Sequence, residues 1–399
     1  MPETGWAKPT NTERAKTPAT GLIARQRRGG FTTARPQDGR RSNLAVVMQS
    51  LSDEPGLTRA ELARRTGLTK VTISDLVAEL IAAELVAECG TTPSSSPGKP
   101  AIGLAMRTDT RDIIACDIAQ PGAVRIGIYD LAGGQRHVTT ASLGDSRGDE
   151  AVAAVSALVA ATIQEAEHPV LGVGIGSPGI VDATGTVLSA EILGWKDVPL
   201  QAQLTSQLRV PVAVLNDANA AASAERSFGG GLADAIRVTI TDGVGAGIML
   251  GGELFIGESA AAGEIGHVVV EYGGDHCRCG KNGCLETWIS VPALNRRLAA
   301  GTTPNGGPNS RSETLAEAGR RLGMALAPVV AALDVREVVI GGPIDLLQGV
   351  FVTSVADLVA ERTHSIFRPD TTVRLSTLGA EAVLLGAASL VRLNTLGIS

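Results

Sequence analysis

The tightest constraint on this chain is a cysteine cluster that begins ten residues after a histidine. The segment runs Glu264-Ile-Gly-His267 and then, after a short interval, Cys277-Arg-Cys279-Gly-Lys-Asn-Gly-Cys284-Leu-Glu286. Three thiols and an imidazole so close together match the tetrahedral nitrogen and sulfur set that Zn²⁺ takes. Gly280 and Gly283 let the backbone curl so that the sulfurs converge. The chain has five cysteines and no signal segment at its start, which argues for a reducing compartment, where such a cluster holds metal rather than disulfides. Three unrelated reduced thiols are the competing reading, and the density of Cys-x-Cys-x4-Cys argues against it. A structural Zn²⁺ on His267, Cys277, Cys279 and Cys284 is therefore expected. Any fold must then return residue 284 to residue 267.

At 399 residues the chain has room for two or three domains. Its composition, 44% hydrophobic and 19% charged, suits a globular α/β protein, and 48 glycines suit many tight strand-to-helix turns. No apolar run approaches the ~18–20 residues that span a bilayer, so a cytoplasmic protein without membrane contact is expected. The net charge of −6 hides an asymmetry. Residues 1–107 carry 15 Lys and Arg against 10 Asp and Glu, leaving 20 against 31 in the remainder. A basic head on an acidic body suits a chain whose head alone meets a polyanion; a solubilising tail is the plainer reading of the same charge.

Residues 1–40 are rich in Pro, Thr, Gly and Arg without apolar periodicity, and read as a disordered basic tail. The cluster Arg25-Gln-Arg27-Arg28 either touches phosphate or is simply solvated. Order is expected from about Arg41. Leu44, Val47, Met48 and Leu51 fall on one helical stripe. Thr58-Arg-Ala-Glu61 is a capping box that opens a second helix. Thr66-Gly67-Leu68 makes a turn, and Thr69 caps a third helix that runs to about Ala83. Ala63, Gly67, Ile73 and Leu76 sit where a helix-turn-helix needs a small residue, a turn and apolar anchors. Thr69, Lys70, Thr72 and Ser74 then lie at the end that reads base edges. Leu85–Cys89 and Ala101–Leu104 can pair as a wing around Gly90–Pro100, with Lys99 placed for a phosphate. The same spacings also occur in proteins that bind no DNA.

From Asp112 strands and helices alternate. Strands are expected at Ile113–Ile118, Val124–Tyr129, His137–Leu143, Val170–Gly176, Val212–Leu215, Ile236–Thr241, Gly245–Leu250 and Val338–Gly341. Helices are expected at Asp149–Glu167, Ser312–Leu333, Leu346–Arg362 and Ala380–Asn394. Two α/β lobes with a cleft between them account for this pattern. Gly174-Ile-Gly176-Ser-Pro178-Gly179 and Leu215-Asn216-Asp217 end two of the strands at carboxyl edges, where such clefts bind ligands. Carboxylates, amides and an imidazole match the paired donors and acceptors of sugar hydroxyls. Trp195 is either a stacking residue of that cleft or a partly buried surface aromatic.

The stretch Glu264-x-Gly-His267 followed by Cys-x-Cys-Gly-x-x-Gly-Cys-x-Glu resembles the signature of the ROK family, which groups sugar-responsive repressors with sugar kinases. The resemblance runs from about residue 41 to the C-terminus. It implies a two-lobed actin-like/RNase H-like α/β sugar-binding domain over residues 108–399, preceded by an all-α winged helix-turn-helix domain over residues 41–107. One lobe would span about 108–225 plus the C-terminal helix 380–399, which packs back on it; the other would span about 226–379. By the same resemblance Asn216, Asp217, Glu264, His267 and Glu286 bind sugar hydroxyls, with the backbone near Gly179 closing one side. His267 would serve metal and sugar through its two ring nitrogens.

In the family's kinases the counterpart of Asp217 is the general base. The phosphate loops of those kinases are altered here. Asp-x-Gly-Gly-Thr becomes Asp117-Ile-Ala119-Gln120-Pro121, in which Pro121 lacks an amide donor. Gly-Thr-Gly-x-Gly becomes Thr241-Asp242-Gly243-Val244-Gly245. A carboxylate ~4 Å from a phosphate charge costs about 4 kcal/mol at an effective dielectric near 20, roughly a thousandfold in affinity. The pair Gly341-Gly342 resembles the nucleotide-side turn. The expectation is a DNA-binding transcriptional regulator of carbohydrate metabolism, a repressor, rather than an enzyme. It would bind operator DNA and a sugar or sugar-phosphate effector, as a homodimer or homotetramer, and sit at the nucleoid when DNA-bound. An ATP-dependent sugar kinase carrying a DNA-binding head is the alternative, and control through a regulatory protein partner is a third.

Overall fold

Leu44, Val47, Met48 and Leu51 put one apolar stripe along α1 (Pro36–Asp53), and the last three are buried. The computed structural model describes residues 36–92, 101–300, 310–366 and 369–398. Helix α1 starts at Pro36, earlier than composition suggests. Proline suits the first turn of a helix, whose N–H has no partner there anyway, and Arg40 pairs with Glu79 at 2.6 Å. The rest of the basic tail, including the arginine cluster at 25–28, lies outside the described residues.

Thr58 caps α2 (Arg59–Thr66) in a complete capping box with Glu61, and Gly67 ends it in the left-handed region. Thr69 caps α3 (Lys70–Ala82), whose Ile73, Leu76, Val77 and Leu80 are buried. An antiparallel ladder of β1 (Val86–Thr92) and β2 (Ala101–Met106) follows, so the head is three helices with a two-stranded wing rather than all-α. Lys99 lies outside the described residues.

Beyond the head come β3 (Asp112–Asp117), β4 (Ala123–Tyr129), β5 (Gln135–Ser142), α4 (Gly148–Glu165) and β6 (Val170–Ser177). A small three-stranded sheet of β7 (Ile180–Val181), β8 (Val187–Ala190) and β9 (Trp195–Val198) precedes α5 (Leu200–Leu208), β10 (Val212–Asn216) and α6 (Asp217–Phe228). The second half holds β11 (Ala235–Ile240), β12 (Val244–Leu250), β13 (Glu253–Phe255), α7 (Glu286–Ile289), α8 (Val291–Ala300), α9 (Arg311–Leu333) and β14 (Glu337–Gly341). It ends with α10 (Ile344–Leu347), α11 (Val350–Thr363), β15 (Thr372–Leu375) and α12 (Ala382–Leu396).

The two large sheets repeat one topology. Their orders are β10-β6-β3-β4-β5 and β13-β12-β11-β14-β15. In each, the first strand is central, the next two add antiparallel on one side, and the last two add parallel on the other. This is the doubled α/β arrangement expected of an actin-like fold. Among the described residues no helix is long and apolar enough to cross a membrane.

Helix α12 lies on β6 and β3 and along α6, while α6 also touches β11 and β12 of the second sheet. Glycines permit the approach: a Cβ on Gly174 would stand 2.0 Å from the Ala387 carbonyl oxygen. The chain then runs into the head, where Ile398 is buried among the α1 and α3 side chains.

Trp195 is neither a cleft residue nor a surface one. It is 3% exposed inside the first half's apolar core, and its indole N–H donates to the Gly148 carbonyl at 2.9 Å. The helix expected over Leu346–Arg362 is two helices, broken at Gly349 with φ of +68°.

Candidate functional site

The loop after β13 makes one helical turn at Ile265–His267 and is drawn back by two pairings, Val269 with Cys284 and His276 with Asn282. Gly283 is needed here, since its φ is +73° and a Cβ would meet the Glu271 carbonyl oxygen at 1.7 Å. The hairpin brings the ligand atoms of His267, Cys277, Cys279 and Cys284 within 4.8 Å of one another. His267 Nδ1 is 3.6 Å from Cys277 Sγ, and Cys279 Sγ is 3.6 Å from Cys284 Sγ. A tetrahedron with Zn–S of about 2.3 Å and Zn–N of about 2.0 Å has edges of roughly 3.5–3.8 Å. The donor set and its spacing therefore fit a tetrahedral metal ion. Burial first, then the neighbouring thiols, push Cys284 up to about 12. Three thiolates are comfortable at this spacing only with a cation among them.

His267 turns its other nitrogen away from the sulfurs: Nε2 lies 3.7 Å from Glu264 Oε2. Partial burial holds the Glu264 carboxyl above the usual range, with His267 opposing and Glu286 adding to the rise. Asp217 is pushed up to about 7, by desolvation first and then by Asp117, with Glu264 contributing. Asp117 is itself raised by burial. Four carboxyl groups and an imidazole thus share one cleft, in which Asp117 and Glu264 oppose the ionisation of Asp217.

Asn216 closes β10 and caps α6. Its Oδ1 accepts from the Asn219 N–H at 3.0 Å, and its Nδ2 donates to the Gly179 carbonyl at 2.8 Å and to Asp217 Oδ1 at 2.9 Å. Both amide hydrogens are committed, so Asn216 offers a ligand one acceptor lone pair and mainly holds Asp217 and Gly179 in place. Gly179 has φ of +79°, and a Cβ would stand 1.9 Å from the Ser189 carbonyl oxygen. The cleft wall there accepts only glycine.

In each of the two loops, 117–121 and 241–245, one amide is engaged by a carboxylate. Asp117 Oδ1 accepts from the Ala119 N–H at 2.9 Å, and Glu286 Oε2 accepts from the Val244 N–H at 3.1 Å. Asp242 is exposed. The glycine pair has a packing reason as well: a Cβ on Gly341 would meet the Arg237 guanidinium at 2.3 Å.

Three arrangements were not signalled by sequence pattern. Trp288 sits between two guanidinium groups, Arg297 at 3.6 Å and Arg321 at 4.0 Å from the ring centroid, and donates to Glu271 at 2.8 Å. Arg321 also donates to the Val270 carbonyl at 2.9 Å, which fastens the metal loop to α9. Buried Glu225 on α6 meets Arg374 at 3.3 Å, and Arg374 meets Glu337 at 2.8 Å, fastening α6 to the second sheet. Arg125 and Tyr129 both reach Glu381, just before α12, behind Asp117.

On the head, Thr69 Oγ1 caps the Thr72 N–H at 3.1 Å and lies 2.9 Å from Thr72 Oγ1, while Ser74 donates to the Lys70 carbonyl at 2.9 Å. These hydroxyls are engaged locally; Lys70 is exposed. Beside it Val71 is 72% exposed, an apolar side chain on the outer face of α3 that periodicity had not singled out.

The sequence profile of the ROK family matches residues 123–394, and that of the MarR family matches residues 46–92. A xylose repressor of Caldicellulosiruptor bescii is 27% identical over 381 residues, which cover 88% of this chain and 95% of that protein. A ROK family transcriptional regulator described as a homolog of the E. coli MLC protein superposes over 90% of this chain and 97% of its own, with a TM-score of 0.78 at 24% identity. A ROK family glucokinase from Streptomyces griseus, solved with glucose and AMPPNP, covers 70% of this chain and 99% of its own, with a TM-score of 0.59 at 30% identity. With its cysteine loop, its doubled sheets and a family profile spanning well over half its length, this chain belongs to the ROK family.

Proposed function

We propose that the protein is a sugar-responsive, DNA-binding transcriptional regulator, acting as a repressor, in which a sugar or sugar phosphate in the cleft controls operator affinity. The observation that carries this reading is an unbroken packed path from cleft to head. Asp217 opens α6, α6 packs on α12, and the chain beyond α12 places Ile398 in the head's core. The alignment with the xylose repressor extends over 88% of the chain, more than the sugar-binding body alone occupies.

In this reading residues 41–107 bind the operator through Thr69, Lys70, Thr72, Ser74 and Lys99, and residues 108–399 sense the sugar. Asp217, Glu264, His267 and Glu286 meet its hydroxyls, Gly179 shapes the wall, and Asn216 orients Asp217. Zn²⁺ on His267, Cys277, Cys279 and Cys284 supplies rigidity to the loop bearing Glu264 and Glu286, and no chemistry. In a homodimer or homotetramer, closure of the cleft shifts the spacing of two heads out of register with the operator half-sites. The protein works in the cytoplasm, at the nucleoid when bound to DNA.

The engaged amides of Ala119 and Val244 and the carboxylate of Asp242 weigh against binding of nucleotide phosphates. One observation favours the kinase reading: Asp217, pushed up to about 7, is tuned for a general base. Operator binding followed by fluorescence anisotropy, with xylose, glucose and N-acetylglucosamine, each with and without Mg-ATP, separates the two. Release by one sugar, unaffected by ATP, supports the regulator. Sugar-dependent ATP consumption lost in Asp217→Asn supports the kinase. Release only by a cell-extract fraction points to a regulatory protein partner. Sugar and operator must also weaken each other equally.

A further inference from the structure

A second cavity, of about 310 Å³, lies where the head meets the body, at the far end of α6 from Asp217. The twelve residues of α6 set it about 16 Å along the helix axis from the cleft. Leu51 and Ser52 from α1 and Met106 from β2 line one side, and Ser227 and Phe228 from α6 the other. Arg392 of α12 also lines it.

Arg392 is 5% exposed, and its Nε–H has no hydrogen-bond partner. Its guanidinium reaches Ser52 Oγ only at 3.5 Å and stands 5.1 Å over the Phe228 ring. Among the described residues no carboxylate pairs with it. Nearby Asp130 makes no ion pair with it: its Oδ1 accepts from the Ala132 and Gly134 N–H groups at 2.8 and 2.7 Å, and its charge acts on the guanidinium only through space. Burial disfavours the charged guanidinium, Asp130 offsets this only in part and without contact, and the planar fork matches carboxylate and phosphate oxygens. A volume near 300 Å³ is at the small end of ligand pockets.

We propose that this cavity binds a small organic oxyanion, a carboxylate or phosphate monoester. Its charge rests on Arg392, its carbon skeleton lies against Phe228, Leu51 and Met106, and Ser52 and Ser227 meet its other polar atoms. Because head and body each form a wall, the bound anion joins them. The site is separate from the sugar cleft and does not depend on the function assigned to that cleft.

Calorimetric titration of the full chain with glycerol 3-phosphate and with malate tests the proposal. At least one binds saturably below about 10 mM, and Arg392→Met and Ser52→Leu, which removes the charge or fills the space, each weaken binding about tenfold or more. Glu286→Gln, in the sugar cleft, leaves binding unchanged. Glycerol 3-phosphate as the binder assigns the phosphate ester, and malate the carboxylate. Absence of saturable heat with both, or equal affinity in Arg392→Met, overturns the proposal. So does loss of binding in Glu286→Gln, which would place the anion in the cleft.

Discussion

Gly386 on α12 lies so close to Ala220 on α6 that a Cβ there would stand 1.7 Å from the Ala220 carbonyl oxygen. Ala220 is one turn from Asp217, and beyond α12 Ile398 lies in the head's core. In the proposed reading this contact lies on the path from the cleft toward the head. Gly386→Ala forces the two helices apart, and overpacking of this kind costs about 1–3 kcal/mol. The variant is expected to melt several degrees lower and to bind operator with little response to sugar. An unchanged melting temperature together with an intact sugar response would show that the contact is not a link.

The cysteine loop has two supports, the ion proposed for its four ligands and the contacts of Trp288, and they can be separated. Cys279→Ser is expected to reduce bound metal, measured by mass spectrometry, from one ion per chain to a trace, and to weaken sugar binding. The near-ultraviolet signal of Trp288 should survive, because Arg297, Arg321 and Glu271 hold the ring without the metal. Disorder is then confined to the Cys277–Cys284 hairpin rather than spread over residues 264–286. Full metal content in the variant would refute the ligand assignment.

Local chemistry made part of this visible in the sequence. The stripe at Leu44–Leu51, the Thr58–Glu61 box and the cysteine spacing are each complete within a few residues, and they appear in the structure where the pattern puts them. Helix α6 is different. Its run of alanines carries no apolar periodicity, and Asn216 and Asp217 read as a strand end because the helix they begin is defined by packing on α12. Gly341 resembled a phosphate turn, yet its neighbour is Arg237, on a strand about a hundred residues earlier. The Trp288 sandwich and the exposure of Val71 also depend on tertiary neighbours that no window of sequence contains.

Asp217 gives the cleft a pH signature. Its folded value, near 7, lies above that of the unfolded chain, near 3.8. The unfolded chain therefore loses its proton first, and stability falls as pH rises between those values. Asp217→Asn removes this titration. Its melting temperature should match that of the parent near pH 4 and exceed it by several degrees at about pH 8. A difference of the same size at both pH values would mean that the carboxyl is not desolvated.

Lys70 and Val71 stand side by side at the exposed start of α3, and they should fail in different ways. Among the described residues no carboxylate pairs with Lys70, so Lys70→Ala should weaken binding evenly across DNA sequences and lower the salt slope by about one. Val71 has no charge, and an exposed valine beside a base edge can recognise only an apolar group, the thymine methyl. Val71→Ser should then weaken binding to operator and not to unrelated DNA. Replacing one operator thymine by deoxyuridine should reproduce the loss. Combining the two changes should cost no more than either alone, since the same contact is removed twice. Additive losses would show that Val71 does not touch a methyl group, and that α3 reads its site through other side chains.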